Sequence, residues 1–454
     1  MLSDDALRRL DEAFRAAGKT LYLVGGSVRD ELLGRPTFDY DFTTDAQPDE
    51  VRQLLAAAQP ENVYAIGAKF GTISATMEGN TVHVTTYRGE RYNPKSRKPE
   101  VTFGVSLEED LARRDFTMNA MAQEVRTRTI VDPFGGRQDL DNRLIRAVGD
   151  PAARFAEDPL RLLRALRFAT TLGFTIEPAT ASAITKQAAE LQNISRERVA
   201  EEMNKIVLAE RPSRGLRLLA DLGLLRYIIP EMMPMVEMRR TAERRHKDIL
   251  NHVLQVVDRS PPTLELRWAA LLHDIAKPAT MSYQDGQVHF FGHEVLGAKW
   301  AREILTRLHF DRHTVDRVGA LVARHMRINT YDDWSDSAVR RFMREVGDQL
   351  DDLFALSRAD ITSHRFERVQ AVLARVDELE RRTREQAEQA EIAKLDSPLD
   401  GHELMDMFTR PPGPWLGKVK SYLRDLVIDG ELDQNDKERG AELARAYMAE
   451  HPEI

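Results

Sequence analysis

The run from Leu21 to Asp45, LYLVGGSVRDELLGRPTFDYDFTTD, constrains this 454-residue chain more than any other stretch. It reads as a strand, a Gly-Gly turn, a short helix and a second strand ending on aspartates. From Phe38 to Phe42 aromatics and carboxylates alternate, the period of a strand with one buried face. Phe38, Tyr40 and Phe42 are expected to face a core. Asp39 and Asp41 then project together from the other face, roughly 6.5–7 Å apart along the strand. Carboxylates so placed can share a pair of Mg²⁺ ions, which suits in-line attack on a phosphate. Gly25 and Gly26 lack Cβ atoms, so backbone amides and a helix start can press against phosphates there. Arg29 and Asp30 fall on the first turn of that helix. The D-x-D spacing alone is weak, since about two or three such triplets arise by chance at this length. Asp139 and Asp141 make another, in a loop-like run. The signal is the ordered set.

Bulk composition narrows the class. An apolar share of 42% and a charged share of 30% are those of a soluble globular chain, and the length suffices for several domains. MLSDDALRRL lacks a signal-peptide core, and no apolar run approaches about 18–20 residues, so a cytoplasmic protein with no membrane span is expected. Without cysteine there are no disulfides or thiolate metal sites, so any metal must use histidines and carboxylates. A net charge of −8 does not exclude nucleic acid, because phosphate binding depends on local basic patches. Arg91/Lys95/Arg97/Lys98, Arg161/Arg164/Arg167 and Arg239/Arg240/Arg244/Arg245/Lys247 are such patches.

Local patterns follow in order. Ser3 caps a helix to Ala17 that Gly18 ends, and Pro48 to Ala58 forms a second. Thr72 to Met77 and Thr81 to Tyr87 read as a hairpin across Glu78-Gly79-Asn80. Ala156 to Phe168 reads as an amphipathic helix on Leu160, Leu163 and Leu166. Asp158, Arg161, Arg164 and Arg167 recur every third residue and form one polar stripe. Cytosine and adenine each place an exocyclic amino donor beside a ring-nitrogen acceptor. Asp158 can accept from the first while Arg161 donates to the second, whereas uracil and guanine present the reverse order. By itself such a pair is equally a helix-start salt bridge.

GGSVRD…LLG…FDYDF resembles the head-domain signature of the class II tRNA nucleotidyltransferase (CCA-adding enzyme) and bacterial poly(A) polymerase family. The resemblance implies an α+β polymerase β-like nucleotidyltransferase head, a small mixed sheet with helices, over residues 1–140. An all-α remainder follows: neck and body to 240, an HD domain over 241–380, and a tail over 381–454. It implies that Asp39 and Asp41 are catalytic and hold two Mg²⁺ ions, and that Gly25, Gly26 and Arg29 position a triphosphate. Arg113, Arg114, Asp115 and Asn119 match RRDFxxNA, which holds the incoming ribose and triphosphate. Asp158 and Arg161 match EDxxR, the protein template for C and A, with Arg164 and Arg167 on the triphosphate. Polymerase β-like sites commonly draw a third carboxylate from the adjacent strand. His83 fills that slot here, with Glu78 as another acid nearby. Gly89 to Val105 resembles the flexible loop used in switching from C to A addition, and Ile66 to Gly71 fits the tRNA enzymes better than poly(A) polymerases. Asp132 to Asp150 resembles the head–neck hinge and SRERVAEEMNKI the neck motif; Lys418, Lys420 and Arg424 are tail candidates for phosphate contact.

Nine of the twelve histidines lie between His246 and His364, which points to a second constellation. His252, the pair His273-Asp274, His293, His325 and Asp360 resemble the HD pattern of metal-dependent phosphohydrolases. Imidazoles with carboxylates suit a transition metal such as Mn²⁺, Ni²⁺, Fe or Zn²⁺. The expected function is template-independent CCA addition to tRNA from CTP and ATP. The alternatives are A-only addition, poly(A) polymerase, or an HD phosphohydrolase or RNA-binding regulator with a silent head.

Overall fold

The computed structural model describes residues 2–64, 71–91, 100–241, 248–285, 287–332, 334–362 and 366–452. Most of Ile66 to Gly71, the central part of the Gly89–Val105 segment, and Arg244, Arg245 and Lys247 fall outside them. The chain forms two compact units, Met1–His325 and Met326–Ile454. Among the described residues no helix is long and apolar enough to cross a membrane.

The first unit opens with helix α1, Asp4–Ala16, whose N-terminus is capped by the Ser3 hydroxyl. Ala6, Leu10 and Phe14 recur every four residues and are fully buried. A seven-stranded mixed sheet follows, built from β1 (Leu21–Val24), β2 (Asp39–Thr44), β3 (Asn62–Tyr64), β4 (Thr72–Met77) and β5 (Asn80–Thr86). A hairpin, β6 (Arg88–Arg91) with β7 (Glu100–Phe103), lies apart from it. The strands β8 (Ala122–Glu124) and β9 (Ile130–Val131) complete the order β3-β4-β5-β2-β1-β8-β9. Among the described residues of this sheet only β2 and β5 pair in parallel, with Asp39 opposite Thr81 and Asp41 opposite His83. Glu78 and Gly79 turn the β4–β5 hairpin, both at positive φ.

Between β1 and β2 runs α2 (Gly26–Leu32), and α3 (Pro48–Ala57) follows β2. The alternation in β2 holds from Asp39 to Phe42, with Tyr40 and Phe42 buried and stacked while both aspartates are exposed. Phe38 departs from the expectation. It precedes the strand and is 65% exposed, because the pleat that would turn it inward begins one residue later. Glu78 also departs: its two oxygens accept from the Ser3 amide and hydroxyl, tying the hairpin tip to the start of α1.

Beyond β7 come α4 (Leu107–Ala112), a 3₁₀ turn over Thr117–Asn119, and α5 (Gly136–Asp141). The second D-x-D triplet therefore lies on a helix, where residues two apart do not share a face, and Asp139 is buried against Thr117 and Arg146. The predicted Ala156–Phe168 helix is two: α6 (Pro151–Glu157) and α7 (Leu160–Leu172), broken at Asp158. Helices α8 (Pro178–Gln187) and α9 (Arg196–Val207) pack next, and α7 lies against α9. The helical part is interrupted by two small sheets, Leu144–Ile145 with Thr175–Ile176 and Ser282–Gln284 with Gln287–His289. The second unit is helical, with the 29-residue helix Phe366–Lys394 and a C-terminal core around Leu404, Trp415, Val419 and Leu423.

Candidate active site

The start of α2 lies against a cavity of about 610 Å³. Gly25 is required there twice over. Its φ of +69° suits only glycine comfortably, and a Cβ at this position would come within 2.8 Å of the Arg114 guanidinium. Two residues later, in the first turn of α2, Ser27 binds the D-x-D strand by its main chain. Its hydroxyl accepts from the Asp41 amide at 3.0 Å and donates to the Asp39 carbonyl at 3.2 Å. Asp41 lines the cavity; Asp39 is not among the lining residues but shares its exposed face of β2. Desolvation by surrounding protein pushes the Asp41 carboxyl above its usual range, with Arg114 and His83 opposing. On the adjacent strand His83 holds Ser74 through Nδ1 at 2.7 Å.

Three motifs separated in sequence meet across this cavity. Arg29 grips the Asp30 carboxylate with two nitrogens and donates from the third to Asn119 Oδ1 at 2.8 Å. Asn119 donates to Asp115 Oδ1 at 3.0 Å, and the other Asp115 oxygen receives Arg164 at 2.6 Å. The result is one continuous network from the Gly-Gly helix through the 3₁₀ turn to α7. Arg161 reaches back from α7 to the Arg113 carbonyl at 2.8 Å and also holds Glu157 and the Arg154 carbonyl. Asp158 accepts the Leu160 amide, so it starts α7, and pairs with Arg198 of α9 at 2.9 Å. Arg167 pairs with Glu202 of the same helix at 2.6 Å.

Eight arginines and three aspartates line the cavity, an excess of positive charge suited to a polyphosphate. Sequence reasoning missed Asp110, Ser27, Phe168 and Arg198. Of these only Asp110 carries a local signal, its spacing of three and four residues from Arg113 and Arg114. Burial alone would raise the Asp115 carboxyl, but Arg164 and the Asn119 hydrogen bond outweigh it and bring the group to about 2. A depressed folded value adds stability above the unfolded value near 3.8, and that stability is lost as pH falls toward about 2. Wild type is therefore expected to lead Asp115→Asn by about 2 kcal/mol more at pH 6 than at pH 2, read by urea unfolding. A gap independent of pH would contradict the network.

A second cluster lies in the same unit. His252 comes from helix Ile249–Arg259, while His273 and His325 each close a helix and His293 opens one. Around Asp274 the Nε2 atoms of His252, His273, His293 and His325 stand at 3.3, 3.2, 3.5 and 3.8 Å. Two overlapping triads result, His252–His273–Asp274 and Asp274–His293–His325, each with ligand atoms within 4.8 Å of one another. Nδ1 of His273, His293 and His325 meets the carbonyls of Ala270, Phe290 and Val322. Those carbonyls can only accept, so each neutral ring turns an unprotonated Nε2 inward. The facing nitrogens of His293 and His325, 3.3 Å apart, then need a cation between or beside them. Asp274 Oδ1, buried with no hydrogen-bond partner, completes a donor set that fits a metal ion. Asp274 also pairs with Lys277 at 2.6 Å. Asp360 ends helix Leu350–Asp360 in the second unit.

Residues 21–146 match the family model described as the poly A polymerase head domain. Residues 173–235 match a probable RNA and SrmB-binding site of polymerase A, and 242–390 an HD domain. The CCA-adding enzyme of Geobacillus thermodenitrificans is 35% identical over 93% of this chain and 92% of its own. The chain belongs to the tRNA nucleotidyltransferase and poly(A) polymerase family. Another member, the A-adding tRNA nucleotidyltransferase of Deinococcus radiodurans, is also 35% identical, over 90% of this chain and 92% of its own. The crystal structure of the Bacillus stearothermophilus CCA-adding enzyme in complex with CTP superposes with a TM-score of 0.61 at 29% identity, covering both chains fully. Within this nucleotidyltransferase fold, the cavity is lined both from the polymerase head and from the helical region that follows it.

Proposed function

We propose that this nucleotidyltransferase adds C, C and A to tRNA 3′ ends from CTP and ATP without a nucleic-acid template, in the cytoplasm. The observation that carries the reading is a single arginine-rich cavity lined by Asp41, by Arg114, Asp115 and Asn119, and by Asp158, Arg161 and Arg164. Asp39 and Asp41 are the residues to hold two Mg²⁺ ions, which when bound supply a more acidic terminal 3′-hydroxyl and charge neutralisation at the departing pyrophosphate. Gly25 and Gly26 leave room for the triphosphate, and Arg29, Arg114, Arg164 and Arg167 bind it. Asp115 and Asn119 meet the ribose. Asp158 and Arg161 read the base edge. Three donations already fix Arg161, out of five available N–H groups, so it can add a bond to a base without moving. Among the described residues the Asp158 side chain is held only by the half-exposed Arg198 and one amide, a pairing that a cytosine or adenine amino group can share.

Purified protein with Mg²⁺, CTP and ATP, offered tRNA lacking CCA, is expected to build all three nucleotides in order. A single A on tRNA ending in CC, with nothing on the shorter substrate, would make this an A-adding enzyme like the Deinococcus relative. A lengthening A-tract on unrelated RNA would make it a poly(A) polymerase. Asp158→Ala is expected to lower kcat/KM for CTP and ATP about 10–100-fold and to relax discrimination against UTP and GTP. Unchanged discrimination would remove Asp158 from the template.

A second reading rests on the converging imidazoles. We assign His252, His273, Asp274, His293 and His325 to a transition-metal centre. Such a centre supplies a bound hydroxide for phosphoester hydrolysis. Protein isolated without chelator is expected to carry metal in elemental analysis, and His273→Ala with Asp274→Ala to lose it while CCA addition persists. Equal metal content in the double variant would refute the assignment.

A further inference from the structure

Phe168, near the middle of α7, is 4% exposed and looks like a core residue by sequence. Its surroundings are cationic. The guanidinium carbons of Arg167, Arg29 and Arg164 lie 4.0, 5.0 and 5.4 Å from its ring centroid. These arginines come from two helices, and each has a carboxylate partner on another side: Glu202, Asp30 and Asp115. The ring also meets Phe116 edge-on at 5.8 Å, so it joins α7 to the RRDF segment. Three guanidinium groups crowded this closely repel one another. A negative ring face offsets that repulsion without adding an anion that would compete with an incoming phosphate.

We propose that Phe168 is a positioning residue for the nucleotide triphosphate, holding Arg29, Arg164 and Arg167 together as one anion cradle. This rests on the reading of the cavity as the nucleotide site. A carboxylate at the same place would neutralise the cradle, and an aliphatic side chain would fill the volume while leaving the cations to splay. The cradle engages phosphates alone, so base selection through Asp158 and Arg161 is independent of it.

The experiment uses the full-length protein with inorganic tripolyphosphate as the probe in calorimetric titration, beside steady-state kinetics with CTP and ATP on tRNA. Phe168→Leu is expected to weaken tripolyphosphate binding and raise nucleotide KM about tenfold, with kcat and C/A selectivity nearly unchanged. Phe168→Tyr, which keeps the ring, should restore both. Phe168→Met, close in volume and not aromatic, replaces the leucine variant should that one fail to fold. If a non-aromatic variant binds tripolyphosphate as tightly as wild type, or if tyrosine restores nothing, the inference falls while the nucleotide reading stands. Wild-type protein that binds no tripolyphosphate would overturn the nucleotide reading and this inference with it.

Discussion

Asp41→Asn is expected to lower kcat for both CTP and ATP about 10³-fold or more, with the protein folded and no less stable than wild type. The two halves of that expectation come from one observation. A carboxyl whose ordinary value is raised by folding is one the fold holds ionised at a cost near neutral pH. Asparagine removes the cost and keeps the shape, so thermal unfolding should shift upward slightly or stay where it is. What asparagine cannot do is supply a second negative charge on the exposed face of β2 beside Asp39. Ser27 would still bind the strand through its main chain, so loss of rate in this variant reports charge and not misplacement. The second D-x-D triplet is the internal control. Asp141→Asn, on exposed helix surface, should leave kcat unchanged. Full activity in Asp41→Asn would end the proposed role of the pair.

Much of this site was legible because its parts are local. Period-two alternation alone separates Asp39 and Asp41 from Tyr40 and Phe42, and a glycine pair before a helix announces close approach. The same rule misplaced Phe38, since alternation does not say where a strand begins. The links between motifs were not legible. Arg161 reaches Arg113 across 48 residues and Arg164 reaches Asp115 across 49, and no pattern within either segment encodes the meeting. Phe168 hid for another reason: a phenylalanine following arginine on an amphipathic helix looks like core whether its neighbours are leucines or guanidinium groups. In the HD region the histidines could be gathered by family resemblance. Their inward-facing nitrogens depend on backbone carbonyls at helix ends, which only the fold supplies.

The limit of local reading is sharpest at Asp110. The chain contains the same aspartate–arginine–arginine spacing twice, Asp5-Arg8-Arg9 on α1 and Asp110-Arg113-Arg114 at α4. Sequence cannot rank them, and the fold separates them completely. Around Asp5 the side chains are largely exposed, where screening and side-chain entropy leave an ion pair worth little, so Asp5→Asn should not move the unfolding curve. Asp110 is fully buried, and besides both arginines it accepts the Thr43 hydroxyl and the Arg88 amide. Burial would raise its carboxyl, yet Arg113 and Arg114 hold it below the usual range. Removing the charge takes a buried anion away from Arg113 and Arg114 beside the cavity, and Asp110→Asn is expected to cost about 3–5 kcal/mol in urea unfolding. The loss should shrink as pH falls below the ordinary carboxylate value near 3.8, where the unfolded chain takes up a proton that folded Asp110 still refuses. Function should fail in parallel, because Arg114 reaches the space beside Gly25 only while Asp110 holds it. Nucleotide KM is expected to rise even at temperatures where the variant is fully folded. If Asp110→Asn proved as harmless as Asp5→Asn, burial would not be what distinguishes the two clusters, and the electrostatic account of the cavity wall would have to be abandoned.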